Sequence, residues 1–402
     1  MPFVDRGLEI RTTVIHRPEE RGELEILVIR GSLAKILCLS LVLVLTIPLL
    51  GAQAASAKGQ GKDKSDTTTY NLYFGDLHTH TGYSDAYDDS TPWDAYAAAV
   101  AAGADFMAVT DHMQIWHAYT AYVLDEEEWA DCLAAAEYYT SDTFVAMAGY
   151  EAWLLANCGE FNVYNSPQFP PKETLGHRLD RLPNFYDWVA SVPGAVAQFN
   201  HPLYVSEDFM DYAFYSEARD IGMGVIEIHN EDFYEPSYIK ALDAGWHVMP
   251  AANSDTHYSD WIAGHEVRSV LLAESLTPED LYAAMSAGRG YGTLDRNLRV
   301  EYTLDGAVMG SNLSAADGSY TAWIKVEDPD GAELDEITLV EIVTDGGVVV
   351  ASVPTSGSLV ELTVDLSSED SRYFYVRVTT ASPLNGDVPG VTAWTAPVWT
   401  GR

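Results

Sequence analysis

From Tyr70 to about Leu294 short β-rich runs alternate with helical runs, and this alternation restricts the possible folds more than any other feature. The strand-like runs are "LYFGDLH", "DFMAVTDH", "TFVAMAGYEA", "GAVAQFNHP", "GVIEIHN", "HVMPAANSD" and "VRSVLLA". Helical candidates lie between them: "PWDAYAAAVAAG", "EEEWADCLAAAEYY", "FYDWVASV", "EDFMDYAFYSEARD" and "PSYIKALDAG". Asp94 and the Thr277–Pro278 pair supply start signals, and Gly103, Gly245 and Gly288 stand where helices should stop. Seven strands alternating with helices predict a parallel α/β barrel or an open doubly wound sheet.

From about Asn297 the texture changes. "LRVEYTLDG", "SYTAWIKVED", "EITLVEIVTDGGVVVASV", "LVELTVDL" and "RYFYVRVTT" alternate apolar and polar residues around Asp-Gly turns, and helix signals are absent. This predicts a small C-terminal antiparallel β-sandwich over residues 297–402, with no ligand cluster and so no chemistry of its own.

The other end of the chain reads as a leader. "ILCLSLVLVLTIPLL", Ile36 to Leu50, carries no charge, follows Arg30 and Lys35, and precedes small residues in "GAQAASAK". That is the layout of a signal peptide with an Ala-x-Ala exit at Ala52–Ala54 or Ala55–Ala57. A spanning helix needs about 20 apolar residues, so no permanent membrane anchor is expected. Residues 1–57 are read as an N-terminal extension and signal peptide, and 58–69 as a polar linker, which predicts an exported, periplasmic or extracellular protein. Past the leader only Cys132 and Cys158 remain, too few for a disulfide framework, and buried thiols are expected ahead of a pair.

Charge narrows the partners. The formal net charge is −38, and residues 1–57 hold equal numbers of each sign, so the whole excess lies in the body. Such a surface repels phosphate backbones and argues against nucleic-acid binding, leaving a small-molecule substrate.

The strand ends carry the chemistry. In "YFGDLHTHTGYSDA" His78 and His80 stand two apart after an apolar lead-in, and in a strand both point to one face. Asp85 follows, and the next runs end in "TDH" (Asp111, His112), "GYE" (Glu151), "NHP" (His201), "IEIHN" (Glu227, His229) and "NSDTH" (Asp255, His257). In parallel α/β folds the carboxyl ends of strands converge on one face. Nine candidate ligands (six His, two Asp, one Glu) exceed what one ion takes and suit three divalent ions. Imidazole with carboxylate favours zinc, manganese or iron over calcium or magnesium.

"GDLHTHTGYSDA", "VTDH", "GYE", "NHP" and "SDTH", in this order, resemble the motifs of the PHP (polymerase and histidinol phosphatase) metallohydrolases. "AGRGYGTLDRNLRVEYTLDGAVMG" and the closing strands further resemble the exported carbaryl hydrolase-like (CehA/McbA) branch. The resemblance implies a distorted (β/α)7 PHP barrel over residues 70–296 with a trinuclear site. It implies His78, His80, Glu151 and Asp255 on a first ion, Glu151 bridging to a second with His201 and His229, and Asp85, His112 and His257 on a third. His229, in "EIHN", departs most from the family pattern. Asp76 and Asp111 would orient imidazoles from behind. An amidohydrolase barrel also opens with His-x-His, but it usually needs a lysine on a middle strand, and neither Lys172 nor Lys240 ends one.

These readings predict an exported metal-dependent hydrolase, first of all a phosphoesterase. A water shared between two ions would be acidified into the attacking hydroxide. Glu151 and Asp255 would serve catalysis directly, and Arg178 in "GHRLDR", with His177 and Arg181, could reach a phosphate or simply face solvent. Two alternatives use the same chain: an ester, amide or carbamate hydrolase, and a secreted binding module whose barrel is inert. The last would show missing ligands, and none is missing from the motif set.

Overall fold

The computed structural model describes residues 69–401, apart from 115–122, 155–157, 172–174, 178–179, 204–206, 231, 315–317, 332–335, 368–369 and 382–389. The leader, nearly all of the linker, and Arg178 lie outside the described residues.

The first part of the chain forms β1 (Asn71–Asp76), β2 (Phe106–Val109), β3 (His112–Gln114), β4 (Val145–Trp153), β5 (Glu160–Tyr164), β6 (Val196–Phe199), β7 (Met223–Asn230), β8 (Asp232–Phe233), β9 (Met249–Ala252), β10 (Arg268–Ala273) and β11 (Gly290–Thr293). Several are apolar throughout because both faces are covered. Within β2, Phe106 and Ala108 enter one core while Met107 and Val109 enter the other.

Helices pack on the outer face. The helix Pro92–Ala102 starts at a Thr91/Asp94 capping box and stops at Gly103, whose φ of 78° favours glycine. Asp125 caps the helix Glu126–Tyr139 by accepting from the amides of Glu127 and Glu128, and Trp129, Cys132, Ala135 and Ala136 form its buried stripe. The run "EDFMDYAFYSEARD" departs from the expected helix. Asp208 to Tyr212 take φ between 52° and 60°, and a single turn, Glu217–Asp220, follows. Tertiary burial overrides propensity there: Phe209 and Tyr212 enter the core, and Asp208 accepts from Ser237 Oγ and pairs with Lys240.

Of the expected distorted (β/α)7 barrel the structure shows the coarser feature, a mixed α/β sheet. β1–β2, β2–β4, β6–β7 and β7–β9 are parallel pairs. β5 enters antiparallel between β4 and β6, and β10 and β11 add two antiparallel pairs beside β1. Among the described residues no ladder joins β9 to β10 or β11, so the ring is not closed by backbone hydrogen bonds. Side chains bridge this seam: Ser269 Oγ donates to Ala252 O (3.2 Å) and Asn253 Oδ1 (2.7 Å). Gly292 allows the close approach, since a Cβ there would lie 2.9 Å from Ala252 N.

The later strands are β12 (Arg299–Leu304), β13 (Ala307–Val308), β14 (Ser319–Glu327), β15 (Ile337–Thr344), β16 (Val348–Pro354), β17 (Leu359–Ser367), β18 (Tyr373–Thr380), β19 (Val391–Thr395) and β20 (Val398–Trp399). β12, β13, β14 and β17 make a separate antiparallel sheet. β15, β16, β18 and β19 instead continue the large sheet through an antiparallel β19–β11 pair, Tyr291 opposite Thr395 and Thr293 opposite Ala393. Val300, Tyr302, Ile324, Ile342 and Val376 share one apolar core with Val270, Leu271 and Met285. The described residues accordingly form one compact unit. Among the described residues no helix is long and apolar enough to cross a membrane.

Candidate metal centre

Past β1 the chain stays extended through His78, Thr79 and His80 and runs beside the loop that leaves β9. Asp255 N donates to His78 O (2.9 Å) and His80 N donates to Thr256 O (3.1 Å). On the other flank Thr110 N donates to Thr79 O (2.9 Å) and Glu151 N to Asp111 O (3.0 Å). Backbone hydrogen bonds thus hold the ends of β1, β2, β4 and β9 side by side, which brings residues distant in sequence to one place.

Three overlapping groups of donors result: His78, His80 and Asp255; His78, Glu151 and His201; and His80, Asp85, His112 and His257. In each, one ligand atom per residue lies within 4.8 Å of the others. Asp255 Oδ1 is 2.9 Å from His80 Nε2 and 3.2 Å from His78 Nε2. Glu151 occupies the middle. Its Oε2 lies 3.2 Å from both His78 Nε2 and His112 Nδ1, and its Oε1 lies 3.0 Å from His201 Nε2. Asp85 spans the third group, with Oδ2 3.4 Å from His112 Nε2 and Oδ1 3.4 Å from His257 Nε2. His201 and Asp255 sit at φ 27° and 49°, uncommon for residues with a Cβ. Glu227 Oε2 holds the first by accepting from His201 N (2.6 Å).

One predicted ligand falls outside these groups. His229 stands two residues after Glu227 and would share its face in a regular strand. A register irregularity against β9 falls between the two, with Glu227 opposite Ala251 and His229 opposite Ala252. The ring turns instead to Phe233, 4.5 Å between centroids, and neither nitrogen finds a hydrogen-bond partner among the described residues. Burial pushes its pKa down to about 4, so the imidazole is neutral.

Glu160 was invisible to the strand-end rule. Its Oε2 lies 3.1 Å from His201 Nε2, on the group that also holds Glu151. β5 runs antiparallel, so its amino end, not its carboxyl end, reaches the site. Gly159, at φ 81°, marks a turn just before β5 in "CGEFNVYN", but a turn does not by itself say which way the next strand runs. The supporting shell also differs from expectation. Asp76 accepts from the His78 and Ser254 amides, and Asp111 accepts from Thr81 and Ser84, so neither touches an imidazole. Glu227 does, with Oε1 2.8 Å from His78 Nδ1. Asn200 Nδ2 donates to Glu151 Oε1 (2.7 Å) and Asn230 Nδ2 to Asp255 Oδ2 (2.9 Å).

The donor set fits divalent cations. The Glu227 carboxylate favours a proton on His78 Nδ1, so that a neutral His78 would turn its Nε2 lone pair towards His80 Nε2, 3.1 Å away. Lone pairs and carboxylates converging in a buried space repel one another unless a cation or protons intervene. Without ions, protons do so. Burial alone would lower His80, yet the Asp255 and Glu151 carboxylates hold it up at about 9. Burial would raise Glu151, but His78 and His112 hold it well below the usual range. Asp85 is likewise held down against burial by His112 and His257.

The basic candidates contribute little that is visible. His177 is exposed, and Arg181 donates to Leu154 O at 3.2 Å. Among the described residues the ion pairs of Glu151, Asp255 and Asp85 are all with imidazoles.

No family model and no curated protein matches the chain. In structure it is similar to a two-domain protein from Bacteroides vulgatus containing a predicted PHP-like metal-dependent phosphoesterase: 15% identity, TM-score 0.42, covering 86% of this chain and 100% of that one. It is similar to PsfC from Pseudomonas syringae at 17% identity and TM-score 0.33, over 50% of this chain and 82% of that one. A candidate metal-dependent phosphoesterase from Bifidobacterium adolescentis gives 14% identity and TM-score 0.29, over 45% of this chain and 87% of that one. These likenesses are remote, and the chemistry of the site rests on its own residues.

Proposed function

We propose that the protein is a metal-dependent hydrolase of phosphoesters, with a trinuclear centre of zinc, manganese or iron at the mouth of a distorted PHP-type barrel. The observation that supports it is the convergence of His78, His80, Asp85, His112, Glu151, His201, Asp255 and His257 into three overlapping donor groups. Bound divalent ions would lower the pKa of water and neutralise a phosphoryl group.

The chain's own residues prepare that chemistry. Glu151 offers one oxygen to the His78 and His112 side and the other to His201, so a single carboxylate joins neighbouring groups. Asn200 fixes its rotation by donating to Oε1, and Glu227 fixes the His78 tautomer. Glu160 replaces His229 as the further donor beside His201. Since the ion pairs of Glu151, Asp255 and Asp85 among the described residues are all with imidazoles, substrate oxygens would find their positive partners in the ions. The apolar leader Ile36–Leu50 supports action after export.

The test is metal content together with turnover of phenyl phosphate, bis(4-nitrophenyl) phosphate and 4-nitrophenyl acetate. Glu151→Gln should fold, and should lose at least about 100-fold in phosphoester turnover, more than the 10–100-fold typical of a residue behind the ligands. Full phosphoester turnover after chelation, or in a folded Glu151→Gln protein, would defeat the proposal. Turnover of the carboxyl ester alone would move the activity to the acyl class.

A further inference from the structure

The donor groups are not equally open. The side chains of His78, His80 and Glu151 are at most 1% exposed, whereas Asp85 is 36% and His257 27% exposed. Solvent, and hence substrate, reaches the centre on the Asp85–His257 side. Two tyrosines stand there. Tyr87 follows Asp85 by two residues and Tyr258 follows His257 directly. They are 76% and 58% exposed, and Tyr87 is the most exposed large hydrophobic side chain among the described residues. Their rings stack at 4.7 Å between centroids, inclined by 24°.

Both rings are carried by loops that are tied together. Tyr87 N donates to His257 O (2.9 Å), Ser259 Oγ donates to Asp88, and Tyr258 N donates to Thr256 Oγ1 (3.1 Å). An aromatic pair kept in water on loops tied together in this way is pre-organised rather than merely unburied. Spacing within the pair leaves no room for an inserted group, so a ligand would lie on an outer face. The loops also carry Asp88, Asp89 and Asp260, which repel a second anionic group.

From this we infer that Tyr87 and Tyr258 form a stacking platform for the leaving group, and that the preferred phosphoesters carry an uncharged planar ring. The platform rests on the phosphoester reading, in which the phosphoryl end sits at the ions and the ring lies outward beside Asp85 and His257. It gives specificity and takes no part in bond cleavage.

The experiment measures binding of phenylphosphonate and methylphosphonate, which are not hydrolysed, to the metal-loaded protein by calorimetry. A ring on one aromatic face should favour phenylphosphonate by about 3- to 10-fold. That ratio should collapse towards one in Tyr87→Ala and Tyr258→Ala and persist in Tyr87→Phe and Tyr258→Phe. The alanine variants remove exposed rings, and the phenylalanine variants control for folding. Equal binding of the two phosphonates by the wild type, or an unchanged ratio in both alanine variants, would overturn the platform and leave the phosphoester reading standing. Binding of neither phosphonate, with no turnover of phenyl phosphate, would overturn both.

Discussion

Glu151 and Glu160 approach the same imidazole nitrogen: His201 Nε2 lies 3.0 Å from Glu151 Oε1 and 3.1 Å from Glu160 Oε2. Against burial, the Glu151 and Glu160 carboxylates hold the His201 imidazole well above its ordinary pKa, and a bound cation could take the place of that proton. Glu160→Gln should therefore weaken the ion at His201 by about 10–100-fold or more. Metal titration followed by elemental analysis measures it, and an unchanged stoichiometry and affinity would remove Glu160 from the ligand set.

His229 gives the opposite expectation. Among the described residues it is buried without a hydrogen-bond partner and faces Phe233, outside all three donor groups. An unsatisfied buried polar group costs roughly 1–3 kcal/mol. His229→Phe should thus leave metal content unchanged and the melting midpoint unchanged or slightly raised. Loss of one metal equivalent would restore His229 as a ligand.

In the metal-free protein His80 is held at about 9, above the ordinary 6.5 of a histidine. The folded state then binds the proton more tightly than the unfolded chain. That stabilisation is complete below pH 6.5 and is lost as pH rises through 9. Chelated protein should melt progressively lower between pH 6.5 and 9.5, whereas metal-loaded protein should not. Ions displace the same protons, so metal affinity should rise over this window. Melting curves with and without chelator decide it, and parallel pH profiles would contradict the assignment.

The C-terminal strands are joined to the region that carries the donor groups. β19 pairs with β11, Arg377 pairs with Glu235, and Arg372 and Tyr373 bind Asp243. A chain ending at Arg296 would expose the β11 edge and half of a shared apolar core, an invitation to aggregate. Such a chain should accumulate in insoluble form. Its recovery as a soluble, fully metal-loaded monomer would show the two parts to be separable.

Cys132 and Cys158 are both buried and unpaired with each other, and burial pushes the Cys132 thiol well above its ordinary range. Neither should react with an aromatic disulfide reagent until the protein is unfolded. Rapid labelling of the native protein would contradict this placement.

What the sequence determined by itself was the donor inventory and its coarse placement. His78, His80, Glu151, Asp255 and His257 were legible because strand ends of a β/α alternation lie on one face, whatever the detailed pairing. The same periodicity made the helices at Pro92–Ala102 and Glu126–Tyr139 legible, since caps and buried stripes are local. Tertiary structure alone decided the rest. Whether a strand is parallel depends on partners distant in sequence, so the turn at Gly159 did not reveal the reversed β5, nor Glu160 with it. A register irregularity between Glu227 and His229 broke the period of two and turned one imidazole away. Long-range burial of Phe209 and Tyr212 overrode a helical composition, and the Ser269 and Gly292 contacts set how far the ring approaches closure. In each case the deciding interactions lie between segments far apart in sequence, which is why local pattern named the candidate donors but could not place every one of them.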